Sequence, residues 1–138
     1  MIDIFDERAK QRGWWRLFVT APFIYAMYVP LLTIDAATQL YQAVCFPAYG
    51  IPLVDRKKFV RVGNRGKKTI SWLDQINCAY CGYANGTVAY IREVLLQTEK
   101  YWCPIRHLPM KGFVAPAHHA SFVEDGDEKA LKKVICPN

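Results

Sequence analysis

Four side chains of this 138-residue chain carry thiol or metal-ligand chemistry at a readable spacing. Cys78 and Cys81 form a Cys-x-x-Cys in Asn77-Cys78-Ala79-Tyr80-Cys81-Gly82-Tyr83, and Cys103 and His107 form a Cys-x3-His in Tyr101-Trp102-Cys103-Pro104-Ile105-Arg106-His107. Three thiolates and an imidazole are a tetrahedral Zn²⁺ set, with iron as the alternative. Gly82 suits a knuckle, because a glycine with positive φ turns backbone N–H groups toward sulfur. Without a metal, Cys78 and Cys81 are small buried hydrophobes or a redox pair, and His107 is a surface residue. A single shared site sets a condition. A straight helix over Thr87–Tyr101 is roughly 22 Å long at 1.5 Å per residue, so either that helix starts late or bends, or the pairs are separate and His118, His119 or Cys136 returns to one of them.

Cys78-x2-Cys81-Gly82-Tyr83 is similar to one knuckle of rubredoxins and zinc ribbons. Those families close the site with a second Cys-x-x-Cys; the Cys-x3-His here departs from four cysteines and argues for zinc over rubredoxin-type iron. Residues 71–107 also resemble a family of small bacterial membrane-associated proteins. The match runs through Asn77, Cys78, Tyr80, Cys81, Tyr83, Asn85 and Gly86, then Thr98, Glu99, Tyr101, Trp102, Cys103, Pro104, Ile105, Arg106 and His107. The resemblance implies a cysteine site and no particular activity.

The elements that must position these residues fall into two compositional parts, 1–54 and 55–138. Between Leu17 and Val54 the only formal charge is Asp35. Pro22 and Pro30 interrupt the first half of that run, and Pro47 and Pro52 the second, which predicts a proline-kinked helical hairpin, re-entrant or spanning, with Asp35 capping its second helix. Trp14-Trp15-Arg16 before the run has the composition of an interfacial anchor. Arg8, Lys10, Arg12 and Arg16 precede the run, and Arg56, Lys57, Lys58, Arg61, Arg65, Lys67 and Lys68 follow it within a net charge of +6. The positive-inside bias therefore places both flanks on the cytoplasmic face of an inner membrane. The alternative is two buried helices of a soluble bundle.

Five cysteines and an acidic start without a signal-peptide pattern predict reduced thiols. The basic block suits lipid headgroups, or nucleic acid as a less favoured partner, and Lys58–Ile70 has the pattern of a short β-hairpin around Gly63-Asn64-Arg65-Gly66. Ser71-x-x-Asp74 signals a helix start, Asn85-Gly86 a break, and Val88, Ile91, Val94 and Leu95 a second helix to Tyr101. A last helix is expected over Lys129–Val134, after acidic residues that suit its N-terminus. No repeat, phosphate loop or Ser/His/Asp order appears. The reading is a mainly α, membrane-associated accessory or assembly protein in a larger membrane complex, with a structural zinc and no catalytic residue assigned. The other readings are a redox protein using Cys78 and Cys81, and a nucleic-acid-binding zinc module using residues 56–68.

Overall fold

The computed structural model describes residues 3–63 and 69–136. The protein is mainly helical: α1 is Ile4–Arg12, α2 Trp14–Ala26, α3 Tyr28–Ala48, α4 Trp72–Trp102 and α5 Glu128–Ile135, with 3₁₀ turns at Arg56–Lys58 and Ala117–Ser121. No strand occurs among the described residues; of the hairpin expected over Lys58–Ile70, residues 64–68, which include most of its Gly63–Gly66 loop and the start of its second strand, lie outside them. The chain forms two compact units, Met1–Arg92 and Glu93–Asn138, which divide inside α4, whereas composition places its boundary after residue 54.

In the first unit, Trp14–Ala48 is long and apolar enough to cross a membrane. The helix break comes at Met27 rather than at Asp35. Pro30 explains the position, because it lacks the N–H that the Ala26 carbonyl would receive and its ring crowds that carbonyl. Asp35 is consequently interior to α3 and caps nothing. It is buried, and its carboxylate accepts from Arg56 Nε at 3.0 Å and Nη2 at 2.6 Å, from the Tyr83 hydroxyl at 2.9 Å and from Gln39 Nε2 at 3.1 Å. Farther along the same helix, the Gln42 amide accepts from Val54 N–H at 2.9 Å and donates to the Val54 carbonyl and the Tyr90 hydroxyl. The end of α3 is a Schellman motif. Gly50, at φ 67°, donates to the Pro47 carbonyl and Ile51 to that of Phe46 at 2.9 Å, while the Phe46 and Ile51 side chains are buried.

α4 starts where Ser71-x-x-Asp74 predicts. The Ser71 hydroxyl accepts from Asp74 N–H at 3.3 Å, and the Asp74 carboxylate reaches on to the Ile4 and Phe5 N–H groups at 2.7 and 3.1 Å. Ser71 thus caps α4, while the Asp74 carboxylate, in the first turn of that helix, satisfies the open N-terminus of α1. Asn85-Gly86 does not break α4, and Gly82 sits in the helix without positive φ. Both glycines are there for close approach: a Cβ on Gly82 would stand 2.7 Å from the Arg61 carbonyl oxygen, and one on Gly86 2.7 Å from that of Phe59 and 2.8 Å from Val60 Cα. One turn apart, they make a groove in α4 for the backbone of Phe59–Arg61. Tyr25, Tyr28, Tyr80 and Tyr83 pack ring to ring elsewhere on α4, with Tyr28 stacked on Tyr83 at 5.8 Å.

The second unit holds the last turns of α4, the 3₁₀ turn Ala117–Ser121 and α5, which is capped by Asp127 accepting from Ala130 N–H. Ile105 and Val123 form a parallel bridge. Arg106 ties it down by donating to the carbonyls of His119, Ala120 and Phe122.

Helix propensity alone makes Gly86→Ala stabilising by about 1 kcal/mol. The groove reverses that sign: Gly86→Ala is expected to destabilise the chain by about 1–3 kcal/mol through overpacking, read by chemical unfolding in detergent. A stabilised variant would show that the groove is not packed.

Candidate metal centre

The described structure brings three donor side chains together in the second unit. Ligand atoms of Glu99, His107 and His119 all lie within 4.8 Å of one another. Glu99 arrives on the last turn of α4, His107 on the irregular segment after Pro104, and His119 on the 3₁₀ turn that Arg106 fastens. The Glu99 carboxylate is held by His118 Nε2 at 2.8 Å and His119 Nε2 at 3.1 Å. The His107 and His119 rings are 5.0 Å apart, and Phe122 stacks on His119 at 4.9 Å. His119 is 2% exposed and its Nδ1 is buried without a hydrogen-bond partner, which leaves that ring nitrogen for a further ligand. An unsatisfied buried nitrogen costs free energy that a bound cation would recover.

Donor chemistry fits a borderline cation such as Zn²⁺, which takes imidazole nitrogen and carboxylate oxygen at about 2.0–2.2 Å. Around a tetrahedral ion, ligands at those lengths stand about 3.3–3.6 Å apart. Donors separated by the full 4.8 Å would have to close by roughly 1 Å or slightly more, within reach of side-chain rotation. His118, bonded to the other Glu99 oxygen, is placed to orient that carboxylate.

The residues expected from sequence are divided. His107 belongs to this cluster, and Cys103 shares with it the wall of an open cavity that also contains Met110, Phe113 and Asp125. Cys78 and Cys81 lie in the first unit, in the wall of a different, apolar cavity. α4 is helical without interruption from Trp72 to Trp102, and the division between the two units falls inside it, so that Cys78 and Cys81 belong to the first unit and Cys103 and His107 to the second. All five cysteines are free. Cys78 and Cys81, one helical turn apart, have Cβ atoms about 5–6 Å from each other, against the roughly 3.5–4.5 Å of a disulfide, so a redox cycle would require the helix to distort. Sequence reasoning misses Glu99 as a member of this cluster because an acid before Lys100 reads as a solvated helix end; its position eight residues before His107 is the available signal.

No family model matches the chain, and neither a curated protein nor a solved structure is similar to it.

Glu99 is held below the usual carboxylate range, first by its hydrogen bond to His118 and then by His119, against an opposing push from burial. A depressed acid stabilises the fold fully above its unfolded value near 4.5 and loses that contribution as pH falls through the lower folded value. In metal-free protein, Glu99→Gln is expected to flatten the fall of melting temperature below about pH 4.5. An unchanged acid limb would show that Glu99 is not held this way.

Proposed function

We propose that the chain is a membrane-associated accessory or assembly protein whose C-terminal unit is held by one structural metal ion, zinc in preference to iron. The observation that carries the metal is the convergence of Glu99, His107 and His119 donors within 4.8 Å, on a buried His119 whose Nδ1 has no hydrogen-bond partner among the described residues. Cys103, beside His107 on the neighbouring cavity wall, is the candidate for the fourth position of a closed tetrahedral site. Cys78 and Cys81 are outside this set.

Membrane attachment is supported by exposure. α2 buries none of its side chains, and Phe18 and Phe23 are each 75% exposed. The Asp35–Arg56 pair sits near the middle of Trp14–Ala48, with Lys57 and Lys58 following directly. A straight crossing would carry these charges to hydrocarbon depth, where they are costly. An arrangement along one leaflet keeps the phenylalanines in lipid and the charged residues at headgroup level. Basic residues on both sides of the apolar stretch favour the cytoplasmic face of the inner membrane, with acidic lipid and a larger membrane complex as partners. The nucleic-acid reading is weakened because Arg56, the first residue of the basic block, is committed to Asp35.

Elemental analysis of the purified chain is expected to find about one zinc per chain, because a structural site supplies folding free energy directly. His107→Ala and Glu99→Gln are each expected to lower metal affinity at least as much as the about 10–100-fold that loss of an outer-shell partner costs, while Cys81→Ser leaves it unchanged. Zinc lost in Cys81→Ser and kept in Glu99→Gln would contradict this centre and restore a thiol shell.

A further inference from the structure

The first unit contains a half-open cavity of about 370 Å³ between α1, α2 and the start of α4. Leu17, Ala21 and Ile24, one face of α2, form one wall, Phe5 of α1 another, and Cys78 and Cys81 the third. The lining is almost wholly apolar. Its size lies at the lower end of the roughly 300–1,000 Å³ usual for small-molecule sites, room for one alkyl chain rather than two.

Most polar groups around this cavity are already engaged. Asp74 accepts from two N–H groups of α1 and from the Ser71 hydroxyl, the Tyr25 hydroxyl donates to Asn77, that of Tyr80 to the Ile24 carbonyl, and that of Thr20 to the Arg16 carbonyl. Arg8 is different. It lines the same cavity from an exposed position on α1 and makes no ion pair among the described residues. An apolar chamber with one uncommitted guanidinium at its rim matches an amphiphile with an anionic head.

From the cavity's lining and the unpaired Arg8, we infer that the first unit binds a single-chain amphiphile whose alkyl tail fills the chamber against Cys78 and Cys81 and whose carboxylate or phosphate head pairs with Arg8. The inference rests on the proposed membrane attachment only for its supply of ligand, because α2 presents one face to the cavity and others outward. It is independent of the metal centre. The two thiols have no ligand role here; they are soft wall atoms, and they report on occupancy.

The test uses the full chain in detergent micelles and then in phosphatidylcholine vesicles. Alkylation of each cysteine by N-ethylmaleimide is followed by peptide mass spectrometry, with laurate, dodecyl phosphate or dodecanol added. Laurate or dodecyl phosphate is expected to slow alkylation of Cys78 and Cys81 while Cys103 and Cys136 react as before, and the more protective of the two assigns the head group. Dodecanol is expected to need about tenfold more for equal protection, the worth of one charge-assisted hydrogen bond. Arg8→Glu, an exposed and structurally mild change, should erase that tenfold preference. No selective protection of Cys78 and Cys81, or a preference for the anion that survives Arg8→Glu, would overturn the inference. Sedimentation with the vesicles in high salt reads the membrane attachment separately: a chain that stays in the supernatant yet shows Arg8-dependent protection refutes attachment and keeps the amphiphile site.

Discussion

A single carboxylate in an otherwise uncharged stretch sets the architecture of the first unit. Asp35 is the only formal charge from Leu17 to Val54, and it is buried. A buried carboxylate is tolerated when its lone pairs are taken by donors in good geometry. Four donor contacts from Arg56, Tyr83 and Gln39 do that, and they draw on three separate parts of the chain. Satisfying Asp35 therefore fixes the segment after α3 and the middle of α4 against α3 at once. Gln42, which clips Val54 and Tyr90 about two turns on, extends the same polar seam.

The backbone of Phe59–Arg61 follows from that anchor. Once Arg56 is pinned to Asp35, the chain just beyond it must run across α4, and the contact is close enough that only glycine fits at 82 and 86. This is why the Cys-Gly…Asn-Gly pattern misleads. Glycine after a Cys-x-x-Cys has a local explanation in a metal knuckle, and Asn-Gly one in a turn. The operating reason is a partner more than twenty residues upstream that no local pattern reveals. Ser71-x-x-Asp74 is legible because capping is settled within four residues, although its second task, holding the Ile4 and Phe5 N–H groups, is not. Sequence places the break in the apolar helix at the charge; it comes instead just before Pro30, where the missing N–H is felt.

In the second unit, the sequence points to His107 and to His118 and His119 as residues able to return, and there His107 stands with Glu99 and His119. The expected turn at Asn85-Gly86 is absent, because α4 continues through it. Arg106 is the residue whose role is least visible: it reads as a surface cation, yet it gathers three carbonyls of the 117–122 turn and so sets where His119 stands.

The dependence of the first unit on Asp35 is tested most directly by a double-mutant cycle on Asp35 and Arg56, with unfolding free energies measured in one detergent for Asp35→Asn, Arg56→Gln and the pair. Arg56→Gln alone leaves the carboxylate buried with weaker donors and is predicted to cost about 2–4 kcal/mol, while the double variant costs clearly less than the sum of the singles, with a coupling of about 1–3 kcal/mol. Additive single effects below about 0.5 kcal/mol each would show that the carboxylate is not buried as described, and that something else holds α3 to α4.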